Sequence, residues 1–244
     1  TTLFRSINAI ARRHQLLVIE DAAQALLSRY RGRLAGGLGD MAAFSFHETK
    51  NVQCGEGGAF VTNDSVLGHR AEIVREKGTN RSAFFRGQVD KYTWVDVGSS
   101  FLASDLTAAF LHPQLVAAAE MTERRLAIWQ RYHDALEPLE VRGLLRRPIV
   151  PDECEHNAHL YYLLLPDLGA RSNLIDGLRL HGIQATFHYV PLHSAPAGLR
   201  FGRVAGSMAC TDSVADRLVR LPLWLGLEKH LDEVIGAVFD CLEK

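Results

Sequence analysis

The sequence predicts an α/β chain: part of a large domain built on a mostly parallel sheet flanked by helices, followed by a smaller α+β domain. Three observations carry this. Short apolar runs at residues 16–19 (LLVI), 41–44 (MAAF) and 59–62 (AFVT) each end in polar residues or turn glycines, as buried strands do. Helical spacing fills the stretches between and after them. Beyond an Ala/Leu-rich stretch, apolar strand patterns and helix patterns alternate again at shorter intervals.

In order, residues 7–14 have the spacing of a short amphipathic helix feeding a strand at 16–20. Gly36-Gly37-Leu38-Gly39-Asp40 is a turn before a strand at 41–46, and Gly55-Glu56-Gly57-Gly58 a turn before the strand at 59–62, which stops at Asn63-Asp64. A helix follows at 66–77. Residues 78–98 read as a long polar loop carrying aromatic side chains, and loops of that length in a compact domain are often functional. Ser104-Asp105 is a cap opening a helical stretch to about Leu136, which Pro113 should kink or split near its first turns. Residues 146–157 read as a connector. A strand (159–165), a helix (172–181), a strand (183–189), a loop and two helices (near 208–218 and 229–242) complete the chain. The domain boundary is expected after residue 125, giving domains 1–125 and 126–244. A doubly wound domain should place several strands before Asp21, so the chain is expected to be truncated at its N-terminus.

Composition narrows the function classes. The 27 Lys+Arg and 28 Asp+Glu leave a formal charge of −1, which gives no reason to expect nucleic acid or an anionic membrane as partner. No apolar run approaches the roughly 20 residues of a membrane span, and no signal peptide is recognisable. Cys54, Cys154, Cys210 and Cys241 are scattered, with no CxxC pairing, which fits a reduced cytoplasmic setting better than a disulfide framework. His188 and His193 sit five apart with Pro191 between them, so no helix face brings them together, and no metal site is expected.

The chemistry lies in two positions. Asp21 follows the strand of IEDAAQA and Lys50 follows the strand of FSFHETKN, so both stand beyond the carboxyl ends of strands, where ligands bind in open α/β sheets. An amine and a carboxylate so placed match what pyridoxal 5'-phosphate needs: a Schiff-base lysine and a partner for its ring nitrogen. Simpler readings exist for each. Asp21 alone would be a cap for a helix starting at Ala22, and a lone lysine after a strand is usually a solvated surface residue. Ser45, His47 and Asp40 carry hydrolase residue types without a G-x-S-x-G elbow. GGLGD lacks the G-x-G-x-x-G spacing of a dinucleotide site. Arg81, Arg86 and Lys91 interleave with Phe84, Phe85, Tyr92 and Trp94, a mixture suited either to a nucleotide diphosphate or to a dimer interface.

VIEDAAQA, GRLAGGLGDMAAFSFHETKN and GEGGAFVTND together resemble the DegT/DnrJ/EryC1/StrS sugar aminotransferases, fold-type I pyridoxal-phosphate enzymes acting on nucleotide-linked keto sugars. REKGTNRSAFFRGQVDKYTWVDVGSSF, NAHLYYLLLP and FHYVPLHSAPAG are similar to one branch, the dTDP-4-amino-4,6-dideoxygalactose transaminases of bacterial surface-glycan synthesis. The resemblance runs from about Ile7 to the C-terminus. It implies that Lys50 forms the Schiff base, Asp21 pairs with the ring nitrogen, Gln24 reaches the ring hydroxyl and Ser45 holds the phosphate. Many relatives carry Asn within the segment corresponding to Gly98-Ser99-Ser100-Phe101, where it reaches the partner subunit's phosphate; here Ser99 and Ser100 stand instead. Arg81, Arg86, Tyr92, His188 and Tyr189 are the substrate candidates. The implied partners are a nucleotide sugar, an amino-acid donor such as glutamate, and a second copy of the chain in a homodimer. The implied reaction places an amino group on C4 of a dTDP-4-keto-6-deoxyhexose. Two rivals are an inactive remnant and a sugar dehydratase of the same fold, whose members replace the lysine that Lys50 supplies.

Overall fold

A computed structural model describes residues 2–243. In chain order it contains α1 (Thr2–Arg13), β1 (Ile19–Asp21), β2 (Arg29–Tyr30), β3 (Arg33–Leu34), β4 (Met41–Ser45), β5 (Gly58–Thr62), α2 (Ser65–Arg75), α3 (Arg81–Phe85), α4 (Asp105–Val116), α5 (Ala118–Ala135), α6 (Glu137–Val141), β6 (Cys154–Glu155), β7 (Tyr161–Leu164), α7 (Leu168–Leu180), β8 (Thr186–Phe187), α8 (Pro196–Phe201), α9 (Ala209–Arg217), β9 (Leu218–Leu221) and α10 (Leu231–Leu242). Two compact units result. One takes the chain up to Thr122 together with Val150–Asn157; the other takes Glu123–Ile149 and the chain from Ala158 onward.

In the first unit the strand order is β1-β4-β5. β1 runs parallel to β4, with Ile19 beside Met41 and Asp21 beside Ala43. β5 runs antiparallel to β4, with Ser45 opposite Gly58. The expectation of a mostly parallel sheet therefore meets, among the described residues, one parallel and one antiparallel pairing. Phe44 and Phe46 pack with Val52, Leu111, Ala118 and Met121 to form the core under this sheet.

Glu20, only 6% exposed, anchors the glycine turn that leads into β4. Its carboxylate accepts from the N–H groups of Gly36 (2.7 Å), Leu38 (2.5 Å) and Gly39 (2.6 Å). A charged acceptor of three amides is a strong local clamp, and it fixes the entry to the parallel strand.

The cap expected at Ser104 is found, and Asp64, expected only as the stop of the preceding strand, is a second cap. Asp64 accepts from the N–H groups of Val66 and Leu67, starting α2, and Ser104 accepts from Thr107 N–H, starting α4. Pro113 does not split the helix near its first turns. α4 continues through it to Val116, and the break comes at Ala117, whose N–H still reaches the Pro113 carbonyl at 3.0 Å. Proline removes one donor and crowds the carbonyl four residues back, so it weakens the turn before it and leaves the turn after it intact.

Two further expectations are corrected. Residues 146–157 are more than a connector: β6 pairs antiparallel with β2, completing a β3-β2-β6 sheet. The partner hairpin turns at Arg31 and Gly32, with φ of 50° and 73°, the left-handed pair that a two-residue hairpin requires. Residues 78–98 likewise contain a helix, α3, within the expected loop.

In the second unit the strand order is β7-β9-β8, all antiparallel. Its central strand, β9, occupies Leu218–Leu221, starting at the residue where the helix is expected to end; that helix, α9, stops at Arg217. The strand expected at 183–189 shrinks to Thr186–Phe187, because it pairs at the sheet edge over only two positions. Tyr132 and Tyr161 stack in the core at 5.0 Å, and burial pushes both phenols well above the usual tyrosine range. Tyr132 Oη donates to the Pro222 carbonyl at 3.0 Å. Arg125, 8% exposed, donates to the carbonyls of Ala158 and His159 (3.0 and 2.8 Å), and burial lowers its pKa to about 10.

Candidate active site

The strand register decides what shares a surface. Asp21 lies beside Ala43, and side chains alternate along a strand, so Asp21, Ala43 and Ser45 face the same side of the sheet. Lys50 follows in the turn after β4, where its N–H donates to the His47 carbonyl at 2.9 Å. This turn is itself held to the strand base: Phe46 N–H donates to Gly57, Glu48 N–H to Gly55, and Cys54 N–H to Phe46.

Asp21 does not cap a helix. Its Oδ1 accepts from Ala23 N–H at 3.1 Å, and the chain proceeds through turns, with Ala25 N–H reaching Ala22 and Ser28 N–H reaching Ala25. Among the described residues neither Asp21 nor Lys50 has an ion pair, so amine and acid are uncommitted. Among the described residues Ser45 Oγ accepts from His47 N–H, at 3.3 Å, and from no other donor. The hydrolase combination is not assembled: His47 Nδ1 meets Thr49 at 2.9 Å, and Asp40 accepts from Val18 N–H at 2.7 Å.

Sequence reasoning missed the residue that ties these pieces together. Asn157, 4% exposed, donates through Nδ2 to the carbonyls of Gln24 and Leu26, each at 2.9 Å. Asn51, next to Lys50, donates to the Asn157 carbonyl at 2.9 Å. The Gln24 side chain, expected at the ring hydroxyl, is exposed on this segment. The only available signal was position, an Asn at the mouth of the apolar run HLYYLLL.

The substrate candidates of the first unit are already engaged. Arg86 grips Glu72 at two points (2.8 and 2.7 Å), and Arg70 pairs with Asp96. Arg81 reaches buried Glu76 at 3.4 Å and lies over the rings of Phe85 (5.1 Å) and Tyr92 (5.9 Å). These cations hold residues 78–98 against the end of α2. Ser100 forms a bridge with Glu76 through its backbone and is exposed. An apolar cavity of about 860 Å³ along β5 and α2 includes Phe60, Leu67 and Phe101 but none of Asp21, Ser45 or Lys50.

Acid should loosen this segment. The Arg86 hydrogen bond lowers Glu72 below its usual 4.5, and the Val97 N–H, then Arg70, lowers Asp96 below its usual 3.8. Both carboxyls titrate lower when folded, so their contribution is complete above about pH 4.5 and lost as pH falls below 3.8. Protection factors across residues 78–98, measured between pH 6 and 3 against the intrinsic exchange rate at each pH, are expected to fall in the lower part of that window. Unchanged protection at pH 3 would mean that the ion pairs do not hold the loop.

His188 and Tyr189 lie in the second unit, around a cavity of about 460 Å³ that also includes Arg171, Ser194, Asp212 and Asp216. Arg220 lies over the Tyr189 ring at 5.4 Å, and His193 pairs with Asp212 at 2.9 Å. Burial, then the Arg220 charge, lowers the His188 pKa, so its ring stays neutral at neutral pH. Among the described residues no group of three or more His, Cys, Asp or Glu is placed to hold a metal ion, and no helix is long and apolar enough to cross a membrane.

Residues 3–239 match the sequence pattern of the DegT/DnrJ/EryC1/StrS aminotransferases. The chain belongs to this aminotransferase family. The spore coat polysaccharide biosynthesis protein SpsC of Bacillus subtilis is 32% identical, over 98% of this chain and 63% of its own length. The dTDP-3-amino-3,4,6-trideoxy-alpha-D-glucose transaminase of Streptomyces venezuelae is also 32% identical, over 98% of this chain and 60% of its own. Among solved structures, a DegT/DnrJ/EryC1/StrS aminotransferase from Brucella abortus superposes with a TM-score of 0.85 at 28% identity, covering 99% of this chain and 61% of that one. S. venezuelae DesV gives 0.84 at 31% identity, covering 98% and 62%. The chain thus spans about three fifths of the length of these relatives. Aminotransferases of the DegT/DnrJ/EryC1/StrS family depend on pyridoxal 5'-phosphate. The residues present fit that group: an amine and a carboxylate without ion pairs among the described residues, and a hydroxyl, of which the carboxylate and hydroxyl share a sheet face.

Proposed function

We propose that this chain carries the cofactor lysine and ring acid of a pyridoxal-phosphate sugar aminotransferase, with Lys50 and Asp21 in those roles. The observation that supports it is the register placing Asp21 and Ser45 on one face, with the uncommitted Lys50 in the turn that follows. Bound pyridoxal phosphate supplies an electron-accepting ring for breaking the donor's Cα–H bond. The chain's own groups do the rest. Asp21 Oδ2, left over once Oδ1 has taken the Ala23 N–H, keeps the proton on the ring nitrogen. Lys50 Nζ holds the cofactor covalently and, once displaced, carries the proton removed from the donor. Ser45 and Gln24 serve the phosphate and the ring hydroxyl.

The reaction in this reading transfers an amino group from glutamate to C4 of a dTDP-4-keto-6-deoxyhexose for surface-glycan synthesis, in the cytoplasm. Its substrate candidates are Arg81, Arg86, Tyr92, His188 and Tyr189, of which Arg81 and Arg86 also hold their own segment through Glu76 and Glu72. A homodimer, with Ser100 near the subunit boundary, agrees with the exposed run of Trp94, Val97, Phe101, Leu106 and Phe110. The test is spectroscopic. The chain is loaded with pyridoxal phosphate, then given glutamate, then dTDP-4-keto-6-deoxyglucose. Loss of the visible band with glutamate and its return with the sugar are expected. A band that glutamate leaves unchanged overturns the donor, and one that the sugar fails to restore overturns the acceptor.

A further inference from the structure

The link through Asn157 joins two segments on which the proposed chemistry depends. On one side Asn51 N–H from the side chain reaches the Asn157 carbonyl, 106 positions away. On the other, Asn157 Nδ2 bonds two carbonyls of the segment that leaves Asp21, 131 and 133 positions away. The backbone at both ends is strained. Leu27, just past the second carbonyl, has φ of 65°, and Ala158, just past Asn157, has φ of 49°. Left-handed backbone is costly for a residue with a side chain, so neighbouring bonds must hold it. The buried Asn157 does so, donating twice from its side-chain amide and accepting once at its main-chain carbonyl, since breaking these bonds would strand carbonyls out of water.

We propose that Asn157 is a positioning residue: it sets the Lys50 turn against the segment following Asp21, and so sets the spacing of amine and acid. This rests on the functional reading above for the roles of Lys50 and Asp21. It also explains why residues 150–157 return to the first unit and add β6 to β2: that pairing delivers Asn157 to its partners.

The test uses Asn157→Leu, Asn51→Leu and the double variant of the 244-residue chain. Without cofactor, amide exchange in residues 22–28 and 49–53 is expected to rise about tenfold in each variant. With pyridoxal phosphate, the dissociation constant read from the visible band is expected to rise about tenfold. The pH midpoint of that band should shift, which a loss of general stability would not cause. The double variant should be little worse than either single one, because the two cut one link in series, Asn157→Leu at its side-chain bonds to Gln24 and Leu26 and Asn51→Leu at the bond to the Asn157 main-chain carbonyl. Unchanged exchange in both segments overturns the proposal. So does a wild-type dissociation constant and pH midpoint in both variants, or fully multiplied effects in the double one. Should Asn157→Leu fail to fold, Asn51→Leu carries the test by itself. A wild-type chain that takes up no cofactor would defeat the functional reading, and the exchange measurement would then decide the link alone.

Discussion

Lys50→Ala is expected to abolish the visible absorbance of the cofactor-loaded chain and to lower amino transfer by at least about a thousandfold. Two losses combine in this one change. The alanine has no amine to bond the cofactor aldehyde, and none to carry a proton from the donor, a contribution of about 10²–10⁴ by itself. Lys50 makes no ion pair or side-chain hydrogen bond among the described residues, so its removal should leave folding intact; matching circular dichroism and melting would establish that. Asp21→Asn separates the roles further. It keeps the oxygen that meets Ala23 N–H at 3.1 Å but cannot hold a proton on the ring nitrogen. It should therefore retain the visible band and lose most of the transfer rate. A Lys50→Ala protein that keeps both band and rate would mean that another amine holds the cofactor. An Asp21→Asn protein with undiminished turnover would free that carboxylate from the chemistry.

The elements that could be read from the sequence are those whose signals are local. Ser104 announced its helix because a cap is a short-range competition between a side-chain oxygen and the next few amides; Asp64, read only as a strand stop, caps α2 in the same way. The runs MAAF and AFVT announced β4 and β5 as short apolar runs bounded by turn residues, although only Ala42 of the two strands is buried. β9 stayed hidden because it starts at the residue after α9, and LVRL reads equally well as a last helical turn. β6 stayed hidden for the opposite reason. Cys-Glu has no strand preference, and its two residues are extended only because β2 lies beside them.

The site divides along the same line. The proposed Asp21, Ser45 and Lys50 stand out because chemistry selects residue types and each follows or ends an apolar strand run, although only the fold shows that β1 and β4 are neighbours in the sheet. Glu20 and Asn157 do not stand out, since each works by satisfying backbone amides or carbonyls whose positions depend on the finished fold. The loop cations were legible as cations but not as structural ones. Only the folded chain shows that Arg86 faces Glu72 and that Arg81 lies between Glu76 and two aromatic rings.

Gly78→Ala should detach residues 78–98 from α2. Gly78 has φ of 73°, where any added side chain is strained, and a Cβ there would stand 1.7 Å from the Asp96 carbonyl oxygen. The obstacle is backbone, not a movable side-chain tip. That carbonyl belongs to the strip returning past α2, whose amides at Val95 and Asp96 both donate to the Gly78 carbonyl (2.8 and 3.0 Å). Alanine thus adds a left-handed penalty of about 1–2 kcal/mol to the loss of these two bonds, together about 3 kcal/mol or more. Gly98→Ala attacks the same crossing from the other side, since its Cβ would lie 2.1 Å from Gly78 N. The two changes should be far from additive, because either one opens the crossing and leaves little for the other to break. Amide exchange should show Val95, Asp96 and Ser99 losing protection in both variants, while β4 and β5 keep theirs. Arg81 and Tyr92 travel with this segment. If they contact the substrate, KM for the nucleotide sugar should rise while the cofactor band stays unchanged. Retained protection at Val95 and Asp96 in Gly78→Ala would show that the two strips do not cross as closely as their backbones stand here.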